Sequence, residues 1–142
     1  MLEQEIVSVI RAQERATARG DAQAMIDTID NDVVAFDLQP PLAYCGQQAR
    51  DVDGIHAWLD TWSGGVVVHL ADPHVILEKE LAVVFGFSRM SGTKTDGTQV
   101  DSWSRRTLVL KRRESAWKII HEHASFPMAM DGSNLAVTDL IP

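Results

Sequence analysis

Apolar positions in the first twenty residues recur at helical spacing: Leu2, Ile6, Val9 with Ile10, then Gln13 with Ala16, before Gly20 as a natural stop. Asp21 can cap a second helix whose inner face would be Met25, Ile26 and Ile29. A short strand follows from Val33 to Leu38, closed by Pro40-Pro41, and Ala43-Tyr44-Cys45 continues toward Gly46. A third helix is predicted from the cap Asp51, carrying Ile55, Trp58, Leu59 and Trp62 and ended by Gly64-Gly65.

From Val66 the period shortens to two. Val66–Leu70 and His74–Glu78 read as strands, with Asp72-Pro73 between them as a bulge or bend, because proline cannot donate to a ladder. Leu81–Ser91 is a further strand, Gly92 to Gly97 a turn, and Thr98–Lys111 a long strand. A charged turn at Arg112–Ser115 leads into Ala116–Phe126, which Pro127 terminates. The fold class is therefore α+β: three helices with an early strand among them, then a meander of long strands. One domain, 1–127, is expected, with a tail over 128–142. A curved, mainly antiparallel sheet wrapped around the helices would enclose a pocket.

Composition adds exclusions. The chain has 142 residues, enough to bury a core without disulfides or metal. No apolar run reaches the ~20 residues of a membrane helix. The acidic start, Met1-Leu2-Glu3-Gln4-Glu5, lacks the basic region of a signal peptide, and Cys45 stands alone, so a cytoplasmic location is expected. Thirteen basic residues against twenty acidic ones give −7, which disfavours phosphate backbones; neither nucleic acid nor membrane is an expected partner. The basic residues cluster from Arg105 and Arg106 through Lys111, Arg112 and Arg113 to Lys118.

Four features can carry chemistry. In His121-Glu122-His123, alternation places both imidazoles on one face with Trp117, Ile119 and Ser125. Two histidines fall one short of the three protein ligands of a catalytic zinc site, so a proton-transfer or pocket role is favoured, and no metal or cofactor is called for. Asp37 shares a face with Val33 and Ala35; there it is a candidate general base, or simply opens the turn before Pro40-Pro41. In Trp103-Ser104-Arg105-Arg106-Thr107, one arginine must face inward and find a carboxylate, internal or on a ligand. A five-residue turn would pair Lys111 with Trp117 and Arg105 with His123, putting Arg105 in the pocket; a four-residue turn would put Arg106 there. Arg105 is the expectation. The aromatics Phe36, Tyr44, Trp58, Trp62, Phe85, Phe87, Trp103, Trp117 and Phe126 supply core, and Tyr44 and the indoles have polar tips that seek partners. A Gly-rich phosphate loop, a nucleophile elbow and a His-Glu-x-x-His motif are all absent.

The Gly20-Asp21 joint, the strand Val33–Asp37, Trp103-x-Arg105-x-Thr107 and the closing Trp117–Ser125 strand, with its His-x-His-x-Ser, resemble the SnoaL-like branch of the nuclear transport factor 2-like superfamily. The likeness covers roughly residues 2–127 and includes ketosteroid isomerases, scytalone dehydratase and the calmodulin-kinase association domain. It implies a cone-shaped α+β fold, a pocket between sheet and helices, and a homodimer through the sheet. Asp37 falls where ketosteroid isomerases place their general base. Their helix-one tyrosine is replaced here by Ala12-Gln13-Glu14, and their second oxyanion donor has no counterpart. Scytalone dehydratase pairs Asp with His, which suggests an Asp37–His123 dyad.

The expected function is binding of a small hydrophobic, carbonyl-containing molecule, with cofactor-free isomerase, dehydratase or cyclase chemistry. Asp37 or His123 would move the proton, and Arg105, Tyr44 or a Trp N–H would hold the oxyanion. Tyr44, Trp58, Trp62, Trp103, His121, Phe85 and Phe87 would line the site. The alternatives are a binding protein without turnover and a dimeric association module.

Overall fold

The computed structural model describes residues 2–142. Helices α1 (Leu2–Ala18), α2 (Ala22–Ile26) and α3 (Val52–Leu59) accompany six strands: β1 (Ile29–Phe36), β2 (Tyr44–Cys45), β3 (Trp62–Glu78), β4 (Leu81–Lys94), β5 (Gln99–Arg113) and β6 (Ala116–Ser125). They form one mixed sheet in the order β2-β1-β6-β5-β4-β3, with β1 parallel to β6 and every other pair antiparallel. The α+β class is as expected. The sheet curves but does not close, and β2 and β3 are its edges. Among the described residues no helix is long and apolar enough to cross a membrane.

Helix α1 lies against the inner face of the sheet. Ile6 and Ile10, one turn apart, enter a core of Leu70, Ala82, Val84, Leu108, Leu110, Trp117 and Ile119. Fully burying each such side chain is worth about 1.5–3 kcal/mol, so this cluster is the main apolar anchor of the helix.

Several boundaries differ from the pattern reading. Helix α2 stops at Ile26, and Ile29 opens β1 instead, because Ile119 N–H donates to Thr28 O and draws the chain onto β6. Trp62 begins β3 rather than ending α3. Gly64 and Gly65, both at positive φ, form a bulge inside β3, and Gly65 passes under Ala18 O, where a Cβ would lie 3.1 Å away. Val66–Leu70 and His74–Glu78 are parts of one strand. The bend at Asp72-Pro73 is a bulge, with Asp72 at φ 43°, as expected. Gly92 lies within β4, and the hairpin turn follows Lys94. The tail folds back on itself through a Met128–Ala136 bridge, and Ile141 and Pro142 reach the outer face of the sheet.

Candidate functional site

The inner face changes character along β4 and β5. Cross-strand neighbours run from Ala82–Leu110 and Val84–Leu108 at the core end to Gly86–Arg106, Ser88–Ser104 and Met90–Ser102. Helix α1 changes in step: after Ile6 and Ile10 its buried positions are Gln13, Glu14, Ala16 and Thr17, three of them polar. Helix and sheet thus meet through apolar groups alone at one end and through a mixture of hydrogen-bonding groups with Ala16 and Val66 at the other. The polar end forms the inner mouth.

Arg106 is the centre of that mouth. Its side chain is only 10% exposed, and Nη2 donates to Glu122 Oε2 (2.7 Å) and Gln13 Oε1 (2.9 Å). Gln13 is held in turn by its own Nε2 donating to Thr28 Oγ1 (3.1 Å), and Thr28 donates to Met25 O (2.7 Å). Burial opposes the guanidinium charge, but Glu122, and behind it Glu14 and Asp37, outweigh burial and raise its pKa. Both protein bonds use Nη2, which leaves Nε and Nη1 without a protein partner among the described residues. On the neighbouring turn Arg11 pairs with Glu14, donates to Leu70 O (3.0 Å) and touches His69 Nδ1 (3.2 Å).

Asp37 follows the end of β1 on the same face as the buried Val33 and Ala35. Solvent still reaches its side chain, but enough protein surrounds the carboxyl for burial to raise its pKa. The negative Glu122 adds to the rise; the Leu38 N–H, donating to Oδ1 at 2.7 Å, Arg106 and Gln39 oppose it. A carboxyl with a raised pKa beside a fixed cation is suited to accept and return a proton.

Helix α3 packs against α2 and the edge strand β3. Its apolar residues Val52, Ile55, Trp58 and Leu59 are only half-buried, and Trp58 meets Trp62 edge to face at 6.0 Å. Tyr44 pairs with Ala35 across β1 and β2, which places it on the inner side at the sheet edge, where its hydroxyl donates to Pro40 O (2.8 Å).

The other expected site residues are elsewhere. Trp103, Arg105 and Thr107 do share a face with His121 and His123, but it is the outer one, and Phe85 and Phe87 lie there too. The turn between β5 and β6 is only Glu114-Ser115, with Arg113 opposite Ala116 and Arg112 opposite Trp117. Ile120 is then extruded as a bulge, since Leu110 pairs with Ile119 and Val109 with His121. The bulge reverses the alternation: Trp117 and Ile119 point inward, then Glu122, while His121 and His123 point outward. Arg105 consequently sits opposite Ser125 and is exposed, and Arg106 is the inward arginine. His121 Nδ1–H donates to Val34 O (2.6 Å), and both histidines stand edge-on to Phe36, across the sheet from Asp37. The Asp37–His123 dyad is not formed. Among the described residues no group of three or more His, Cys, Asp or Glu side chains is placed to hold a metal ion.

Gln13, Arg106 and Glu122 are the mouth residues that the pattern reading left out of the site. Gln13 carries a readable signal, a polar residue in line with Ile6 and Ile10 on a helix face; Glu122 carries none, because its direction depends on the bulge.

An open, strongly curved mixed sheet with helices on its concave side and a polar mouth between them defines the cystatin-like, nuclear transport factor 2-like class. The SnoaL-like domain model matches residues 6–129, and the chain belongs to that family. It is similar to a nuclear transport factor 2-like protein of unknown function from Pseudomonas putida, at 27% identity and a TM-score of 0.85 over 99% of this chain and 96% of that one. It is also similar in fold to a Streptomyces avermitilis protein of the nuclear transport factor 2-like family, provisionally called a dehydratase (17% identity, TM-score 0.75, 89% and 97% covered). A Salmonella enterica superfamily member is 16% identical, with a TM-score of 0.74 over 93% and 95% of the two chains. No curated protein matches.

Proposed function

We propose that the inner mouth binds a small, neutral, hydrophobic carbonyl compound and that Asp37 moves a proton beside the carbonyl, the chemistry of a cofactor-independent isomerase, dehydratase or cyclase. One observation carries the reading. Arg106 is anchored under α1 by Glu122 and Gln13 through Nη2 alone, with two donors to spare and the Asp37 carboxyl in its field.

The charge balance selects the ligand. Glu122 already neutralises Arg106, so an anion entering here would also meet Asp37; a carbonyl oxygen can take the spare N–H groups without that repulsion. As an enolate forms, the same N–H groups would stabilise it, a role worth roughly 10²–10³-fold per donor. Asp37 as the general base would contribute roughly 10²–10⁴-fold. The half-buried face of α3 and Met90 supply apolar surface for the rest of the molecule.

The test is hydrogen–deuterium exchange at the α-carbon of 2-tetralone in D2O, followed by NMR. The protein should accelerate exchange, and Asp37→Asn, still folded, should lose at least 100-fold of that acceleration. Exchange equal to that of buffer, or equal in the Asp37→Asn variant, overturns the catalytic reading. Saturable binding of the ketone without exchange would leave a binding protein using the same mouth.

A further inference from the structure

The inner face carries a row of hydroxyls that the reaction at Arg106 does not use. Ser88 of β4 lies opposite Ser104 of β5, and Met90 lies opposite Ser102 in the next row. The polar groups of α1 on this side are already engaged. Thr17 Oγ1 donates to its own helix at Gln13 O (2.8 Å), and the two ends of the Gln13 amide are taken by Thr28 and Arg106. The side chains of Ser88, Ser102 and Ser104 are left without a hydrogen-bond partner among the described residues. Ser88 is the most enclosed, at 4% exposure. Among the described residues, the side-chain atoms sealed from solvent without a partner are Arg50 Nε and the Nε1 atoms of Trp62 and Trp117; the Ser88 hydroxyl is not one of them, so it keeps an opening on the mouth.

Register places these hydroxyls beside Arg106. The cross-strand partners of Arg106 are Gly86 and Ala124, and the next residues toward the mouth on β4 and β5 are Ser88 and Ser104. Leu70 covers Gly86, where a Cβ would lie 3.4 Å from Leu70 Cδ1, so the floor next to the guanidinium is made of Ser88, Ser104 and Ala124, all short. Ser104 and Arg106 stand two residues apart on one face of one strand, a separation of roughly 7 Å. Directly opposed residues such as Ser88 and Ser104 have Cβ atoms about 4.5–5.5 Å apart, close enough for one oxygen atom to reach both hydroxyls. A serine hydroxyl both donates and accepts, so the pair can satisfy either a hydroxyl or a carbonyl oxygen. It offers no charge for an anion, because Arg106 is already bound to Glu122 (2.7 Å).

We propose that Ser88 and Ser104 form a second subsite of the inner mouth and select a substrate with two oxygen functions: the reacting carbonyl at Arg106, and a neutral hydroxyl or carbonyl oxygen roughly 7 Å away at the far end of the molecule. This rests on the assignment of the carbonyl to Arg106 made above. The second oxygen bonds to both serine hydroxyls and sets which end of the substrate meets Asp37. A methyl group in the same place leaves both hydroxyls unpaired, and an unpaired enclosed hydroxyl costs more than a hydrogen bond gains, so the subsite discriminates mainly against ligands that lack the oxygen.

The test is titration calorimetry with 6-hydroxy-2-tetralone and its near-isostere 6-methyl-2-tetralone, on the wild type, Ser104→Ala and the double variant Ser88→Ala/Ser104→Ala, with α-carbon deuterium exchange of both ketones followed in parallel. The wild type should bind the hydroxy ketone at least fivefold more tightly, since each net hydrogen bond is worth roughly 2–10-fold. Ser104→Ala, at the more exposed of the two positions, should lower that preference at least twofold, and the double variant should abolish it while binding the methyl ketone at least as well as the wild type does. The ratio of the two affinities is the readout, so a general loss of stability does not imitate the result. Equal affinities in the wild type, or a ratio unchanged in the variants, overturn the serine subsite and leave the carbonyl site at Arg106 standing. A preference that the variants lose, without exchange of either ketone, supports the subsite and overturns only the catalytic role of Asp37. Saturable binding of neither ketone overturns the site at Arg106 and the subsite with it.

Discussion

Arg106 and Glu122 bond at 2.7 Å across β5 and β6, although they are not register partners: Arg106 lies opposite Ala124, and Glu122 opposite Leu108. The pair is diagonal, Glu122 lying two residues along β6 from Ala124, the partner of Arg106, a separation that long side chains bridge on one face of an antiparallel ladder. It exists because the Ile120 bulge turns Glu122 inward. Without that extra residue, the alternation running from Trp117 and Ile119 would put His121 and His123 under the helix and leave Arg106 facing no carboxylate.

Arg106→Ala or Glu122→Ala should therefore destabilise the fold. The loss is about 2–4 kcal/mol, at or below the usual 3–5 kcal/mol for breaking a buried pair, because the Glu122 side chain keeps 22% exposure. Arg105→Ala, one residue away on the exposed face, should leave the unfolding free energy from urea titration within about 0.5 kcal/mol of the wild type. Equal losses at the two arginines would show that the inward assignment is wrong.

Asp37→Asn should be more stable than the wild type at neutral pH. A carboxyl whose pKa is raised on folding holds its proton more tightly in the folded than in the unfolded state. Wild-type stability then falls as pH rises from the ordinary carboxylate value to the raised one, and stays lower above it. The asparagine variant does not titrate there and keeps the Oδ1 that accepts the Leu38 N–H. Melting temperatures should differ at pH 7 and converge in acid; a difference that is the same at both pH values would contradict the burial argument.

Proton exchange in a bound ketone should carry the same signature with the opposite sign. Asp37 must be ionised to take a proton, so the accelerated rate should switch on with rising pH, at a pH above the ordinary carboxylate value. The rate–pH profile of 2-tetralone exchange checks this, and the limb should be missing in Asp37→Asn.

Gly92→Ala should cost about 1–3 kcal/mol by overpacking. A Cβ there would lie 2.9 Å from Trp62 Cε3 and 3.0 Å from Gly65 O, and neither the packed indole nor the bulge backbone can retreat easily. Chemical denaturation gives the magnitude, and the near-ultraviolet circular dichroism of Trp62 should change with it.

Much of this protein was legible in the order of its residues. Helical spacing from Leu2 to Ala16, the Asp21 and Asp51 caps, the proline bend at Asp72-Pro73 and the strand period after Val66 follow from local sterics and hydrogen bonding, which act over a few residues and leave a readable period. The inward position of Asp37 beside Val33 and Ala35 also follows from alternation alone. Which arginine lies under α1, and whether histidine or glutamate meets it, was decided by a two-residue turn and one extruded isoleucine. Both are settled by the fit of whole strands against Ile6 and Ile10. A side-chain period of two turns a one-residue slip into a reversal of faces, so the inward Arg106, with Glu122 and Gln13, and the outward Arg105 could be told apart only in the folded sheet.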